Sequence, residues 1–182
     1  LSSELLLVEQ CKQQNRKAQM ALYGQYCNGM FIIAQRYLKD TAAAEDAMQE
    51  AFVKAFQKLS QFKGDVTFGA WLKRIVINTC LDVIKARKME LQSLNEEVFT
   101  LTEVDNDWSV EDETTVSEVL KAIEELPENY RIATKLFLLE GYDHQEISEI
   151  MNVSENASRT YVHRGKLKLK EKLKHLRYGT GY

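Results

Sequence analysis

The chain has 182 residues, of which 45% are hydrophobic and 28% charged, with a formal net charge of −3. That length holds one large domain or two small ones, and the composition suits a folded protein with real cores rather than a disordered one. No apolar run is long enough to span a membrane and no signal-peptide pattern is legible, so a cytoplasmic chain without membrane insertion is expected. One Pro, 8 Gly and almost no alternating β-branched pattern predict an all-α fold. Cys11, Cys27 and Cys80 form no CxxC pair. They read as reduced thiols, with Cys27 and Cys80 in the core, and assemble no zinc site. The net charge conceals segregation: basic segments near Lys73–Lys88 and at the C-terminus flank an acidic middle.

In chain order, Leu5 to Val8 and then Ala18, Ala21, Leu22, Tyr26, Met30, Ile33 and Tyr37 recur at helical spacing. They predict a short helix, a turn near Gln14 and Asn15, and a long helix to about Lys39. Thr41 is the expected N-cap of the next helix, which spans 42–59 and buries Ala47, Ala51, Phe52, Ala55, Phe56 and Leu59. Asp46, Gln49 and Glu50 fall together on its other side, at i, i+3 and i+4. Spacing alone leaves two readings open, a solvated face and a docking patch for a basic partner helix.

A turn at Gly64 and Asp65 follows, surrounded by Phe62, Lys63 and Phe68. After it, Trp71, Leu72, Ile75 and Val76 begin a helix that carries Lys73, Arg74, Lys85, Arg87 and Lys88 outward. Aromatic rings among cations suit unpaired or melting DNA, where bases stack and phosphates meet charge, although Trp71 reads better as a core anchor. Asn78, in the middle of this basic helix, is suited to reading base edges or to bonding a neighbouring loop.

From Met89 to Ser117 no period is sustained, and no Lys or Arg lies between Lys88 and Lys121. This predicts a solvated acidic linker, with Phe99, Leu101 and Trp108 docking locally. Beyond it, Leu120, Ile123 and Leu126 predict a helix that breaks before Pro127, which opens the next helix. Gly141 ends that one, and Asp143 with Glu146 makes a capping-box start for another. Asn152 is placed at a sharp left-handed turn, and Ser154 caps a final basic helix with Ala157, Tyr161 (or Val162) and Leu167 inward. Two short helices, a tight turn and a cationic second helix read as a helix-turn-helix; an ordinary hairpin with a solvated cationic face is the plain alternative.

Taken together, AEDAMQEAFVKAF, FGAWLKRIVINTCLDVIKARK and ELPENYRIATKLFLLEGYDHQEISEIMNVSENASRTYVHRGKLKL, in that order around an acidic linker, resemble the extracytoplasmic-function sigma factors of bacterial RNA polymerase. The resemblance covers nearly the whole chain. It implies two small helical domains: residues 1–88 binding core polymerase at its clamp helices and the minus-ten promoter element, and residues 117–182 binding the minus-thirty-five element and the polymerase flap, joined by a linker at 89–116. It makes Asp46, Gln49 and Glu50 polymerase contacts. It matches Phe62 to Phe68 and Asn78 to minus-ten contacts, and the cations Lys63, Lys73, Arg74, Arg87 and Lys88 complete the candidate DNA-binding set of the first domain. In the second domain it matches Arg159, Thr160, His163 and Arg164 to minus-thirty-five contacts, and Ser154, Asn156, Lys166 and Lys168 complete the set. Members are commonly sequestered by an anti-sigma factor, often membrane-bound. This chain has Asn152 where the family usually has Gly, and Gly165 where Ala is usual. Gly165 is expected to weaken the last helix by about 1 kcal/mol.

The main competing function is a helix-turn-helix repressor or activator with an unrelated helical effector domain; a helical adaptor without DNA binding is a third. Enzyme chemistry has no footing: His144, His163 and His175 lie away from any glycine-rich loop or clustered nucleophile, so no catalytic residue, metal or cofactor is assigned.

Overall fold

The computed structural model describes residues 3–91 and 115–178. The chain divides into two compact units, Leu1–Asn95 and Glu96–Tyr182. Most of the acidic segment, with Phe99, Leu101 and Trp108, lies outside the described residues.

The first unit contains α1 (Ser3–Lys12), α2 (Arg16–Tyr37), α3 (Thr41–Gln57), a single 3-10 turn at Leu59–Gln61, and α4 (Phe68–Leu91). Asn15 caps α2, its side chain accepting from the backbone N–H groups of Lys17 and Ala18, and Gln14 supplies the turn with φ 62°. Asp40, not Thr41, caps α3: its Oδ1 accepts the Ala43 N–H at 2.8 Å. The carboxylate also meets the positive end of the helix dipole, which a threonine hydroxyl does less well.

Helix α3 packs against both α2 and α4. Its inner face carries Ala44, Ala47, Ala51 and Ala55, each no more than 1% exposed. Such small side chains let the helix backbones approach closely, while Leu22, Phe52, Leu72, Val76 and Ile77 fill the remaining volume. Each large apolar side chain so buried contributes roughly 1.5–3 kcal/mol. Cys80 lies in this core, and burial pushes its thiol up to about 12. Cys27, expected there too, is only half-buried, while Cys11 is buried.

The second unit contains α5 (Val116–Glu124), α6 (Glu128–Leu138), α7 (His144–Met151) and α8 (Glu155–Tyr178). Helical backbone thus enters the predicted linker at both ends, through Leu91 and from Val116. Thr115 and Glu118 form a capping box on α5, and Asp143 and Glu146 form another on α7. Pro127 is the N-cap of α6 rather than its first residue. Gly141 turns the chain with φ 77°, and Asn152 adopts φ 56° and ψ 52°, the left-handed geometry expected of it.

Helix α8 lies against α5, α6 and α7. Its buried stripe is Ser158, Val162, Gly165 and Leu169. Leu167, expected inward, is 53% exposed, and Leu120 on α5 is likewise exposed. Of the expected inward set on α8, Val162 is buried, but Ser158, Gly165 and Leu169 take the places given to Ala157 and Leu167, because small side chains occupy the line of closest approach. Lys135 is buried on α6, and its ammonium meets the Glu124 carboxylate at 2.5 Å.

Candidate functional site

On α3, Asp46, Gln49 and Glu50 are all exposed, opposite the alanine face. Gln49 Nε2 donates to Glu45 Oε1 at 3.4 Å, and Glu50 pairs with Lys54 at 2.7 Å. Val53, 56% exposed, continues the stripe at i+7 from Asp46. Beside α3, the side chains of Arg16, Gln19, Met20, Tyr23 and Phe56 line a groove of about 300 Å³. This groove was not singled out in the sequence. Met20 and Tyr23 had offered a signal, since both are large apolar residues out of phase with the stripe of α2.

The segment after α3 corrects an expectation. Phe62 and Phe68 were to face DNA, yet they are 5% and 1% exposed. Their rings pack edge to face at 5.8 Å, and both touch Trp71, at 5.4 and 5.7 Å. Tyr26 joins the cluster at 5.4 Å from Phe68. Gly69 admits that ring, since a Cβ there would lie 2.9 Å from Tyr26 Cε1. The physical reason is burial: three rings around one tight turn are more stable against each other than in water. What the cluster leaves exposed is the loop crest, Lys63, Gly64, Asp65, Val66 and Thr67, with Gly64 at φ 83°.

Along α4, helical geometry separates the cations into two rows. Arg74, Asn78 and Lys88 fall within about 80° of one another around the axis, with Asn78 exposed. Lys85 falls among them, while Lys73 and Arg87 lie on the adjoining flank, centred about 120° away. Lys73, Arg74 and Lys88 are half-buried and Arg87 is exposed.

On α8 the expected residues divide three ways. Asn156, Thr160 and His163 lie along the line opposite the buried stripe, joined by Leu167. Arg159 and Lys166 form one flank, Arg164 and Lys168 the other. Ser154 spends its hydroxyl on the helix start, accepting the Ala157 N–H at 3.1 Å. Thr160 Oγ1 donates to the Asn156 carbonyl at 2.9 Å. Arg159 pairs with Glu155 at 2.5 Å, and Arg164 Nη1 donates to Tyr130 OH at 3.5 Å. Lys166, expected to point freely outward, is half-buried with Nζ 4.3 Å above the Phe137 ring, and burial lowers its pKa.

Two helical units, one ending in a helix-turn-helix with a cationic second helix, define a DNA-binding regulator. Residues 22–89 match the sigma-70 region 2 family and residues 117–169 match the sigma-70 region 4 family, well over half of the chain between them. The chain belongs to the sigma-70 family as an extracytoplasmic-function sigma factor, an alternative sigma factor that directs transcription initiation. It is 29% identical to the ECF RNA polymerase sigma-E factor of Escherichia coli, with 96% of each chain covered. It is 28% identical to the RNA polymerase sigma-H factor of Pseudomonas aeruginosa, over 88% of each. The fold is similar to that of CnrH, solved with the cytosolic domain of CnrY, at TM-score 0.57 and 21% identity over 94% of this chain and 97% of that one. It is similar also to RpoE of Bartonella quintana, solved with the anti-sigma factor NepR, at TM-score 0.57 and 21% identity over 85% and 96%. Among the described residues no helix is long and apolar enough to cross a membrane.

Proposed function

We propose that the α1–α4 unit binds core polymerase at its clamp helices through α3, and the minus-ten element through the loop crest and the outward rows of α4. The α5–α8 unit binds the minus-thirty-five element through α8 and meets the polymerase flap. In this reading Phe62 and Phe68 anchor the loop from behind, while Lys63 to Thr67 meet the DNA. The protein works in the cytoplasm as a binding protein, without catalysis of its own. An anti-sigma factor, the kind of protein solved with RpoE of Bartonella quintana, is a partner of this chain as well.

One observation carries the polymerase contact. Asp46, Gln49, Glu50 and Val53 form an exposed stripe on a helix whose other face is core. Among the described residues, the polar side chains of that stripe make only the Glu50–Lys54 pair and the weak Gln49–Glu45 bond. Such exposed pairs contribute about 0–1 kcal/mol.

The test is co-purification of the full chain with core polymerase. Asp46→Arg combined with Gln49→Ala is expected to abolish it while helix content and melting temperature stay unchanged, since charge reversal facing a basic partner costs several kcal/mol. Unchanged co-purification overturns the role given to α3. Run-off transcription from a genomic promoter library with the wild-type chain then identifies the promoters it reads.

A further inference from the structure

The geometry points to His144 as a positioning residue: through its bond to Ser158 it sets the roll of α8, and with it the base discrimination exercised by Arg159. This rests on the reading of α8 as the helix that enters the minus-thirty-five DNA.

Ser158 is the only hydroxyl in the buried stripe of α8, and it is 0% exposed. A hydroxyl there is costly unless it is bonded, and its partner is the imidazole of His144 on α7, with Nδ1 3.2 Å from Oγ. The ring is itself held. It stacks on Phe137 of α6 with centroids 5.1 Å apart and planes 19° from parallel. Lys166, two turns along α8, places Nζ over the same Phe137 ring. Three helices are therefore joined at one point, and the point lies beside the first cation of the DNA-facing surface.

The other anchors of α8 are Val162, Gly165 and Leu169, whose apolar contacts are non-directional and tolerate a small rotation. A hydrogen bond at the helix N-terminus does not, because its strength falls steeply with angle. Ser158 immediately precedes Arg159, so the bond fixes the roll where the reading side chain leaves the helix. A roll of about 15° moves a guanidinium about 8 Å from the axis by roughly 2 Å, enough to break a bidentate base contact. The charges around the ring are Arg159 and Lys166, which oppose its protonation, and Glu155 and Asp143, which favour it. Burial first, then Arg159 and Lys166, keep the ring below the ordinary histidine value of 6.5 against the opposite pull of Glu155 and Asp143, so it stays a neutral partner for Ser158.

The experiment measures binding of the full-length chain to the duplex it selects from a random library and to every single-base-pair variant of that duplex, across a salt series. Arg159→Ala is the reference and identifies the base pairs that Arg159 reads. His144→Ala is expected to reduce discrimination at those same base pairs by about threefold to tenfold. Binding to unrelated sequence and the salt slope should stay unchanged. His144→Asn, whose amide reaches the place of Nδ1, is expected to restore discrimination. Ser158→Ala, a change of one atom that keeps the helix packed, should reproduce the His144→Ala pattern, and combining the two should add nothing. If Arg159→Ala relaxes discrimination while both His144→Ala and Ser158→Ala leave it intact, the positioning role is wrong and the recognition helix stands. If neither the wild type nor Arg159→Ala shows base preference, the reading of α8 fails and takes this inference with it.

Discussion

Gly165 of α8 lies against Thr134 of α6 so closely that a Cβ at position 165 would overlap Thr134 Oγ1 and stand 3.2 Å from the Tyr130 carbonyl oxygen. Thr134 is fully buried, and its hydroxyl has no hydrogen-bond partner among the described residues. The glycine that looked like a weakness of the last helix is the site where two helices touch. Helix propensity favours Gly165→Ala by about 1 kcal/mol, but overpacking costs about 1–3 kcal/mol. Gly165→Ala is therefore expected to lower the melting temperature, and adding Thr134→Ala to restore it or raise it above wild type. A melting temperature raised by Gly165→Ala alone would refute the close approach.

Glu124→Ala removes the carboxylate 2.5 Å from the Lys135 ammonium, which is 4% exposed. Removing one partner of a fully buried pair costs about 3–5 kcal/mol; with Glu124 at 37% exposed, the expected loss is below that range, about 1–3 kcal/mol. Glu124→Gln keeps an acceptor and should lose less. Urea unfolding with both variants measures the difference, and equal losses would mean that the charge contributes nothing.

The aromatic cluster and the loop crest should separate stability from function. Phe68→Ala is expected to destabilise the first unit by about 3–5 kcal/mol. Val66→Ala, at an exposed position, should change stability by no more than about 0.5 kcal/mol yet slow promoter opening by the polymerase complex. Permanganate footprinting of the opened promoter reads the second effect. Normal opening with Val66→Ala would remove the crest from the DNA contact.

Arg159 and Lys168 lie on opposite flanks of α8, and Arg159 is nearer the end that enters a groove. Arg159→Ala should cost roughly 1–3 kcal/mol on the preferred sequence and relax one or two positions. Lys168→Ala should weaken all sequences alike and lower the salt slope by about one unit. Uniform loss with both variants would make Arg159 a phosphate contact.

The lowered pKa of His144 makes the second unit sensitive to acid. Burial and the charges of Arg159 and Lys166 hold it below its ordinary 6.5, so below that pH the unfolded chain binds more protons than the folded one. Stability is complete above 6.5 and is lost as pH falls through the lower folded value. Melts of wild type and His144→Asn, compared between about pH 7.5 and about pH 5.5, isolate this group from the other histidines. The wild type should lose more stability than the variant, and parallel curves would contradict the shift.

Local chemistry made much of this protein legible without a structure. Asp143 and Glu146, Asn152 and Ser154 are capping and turn residues whose roles depend on their immediate neighbours, and their spacing alone located the helix-turn-helix. The exposure of Asp46, Gln49 and Glu50 followed from the apolar period on the other side of the same helix. Tertiary packing decided what periodicity could not express. The resemblance set Phe62 and Phe68 toward DNA, and only the packing of Tyr26, far back in the chain, and Trp71 against them turned their rings inward. Burial of Val162 rather than Tyr161, the outward turn of Leu167, and the value of Gly165 and Ser158 all depended on α6 and α7 lying against α8. A helix has one sequence but many possible rolls, and contacts made by other helices select among them.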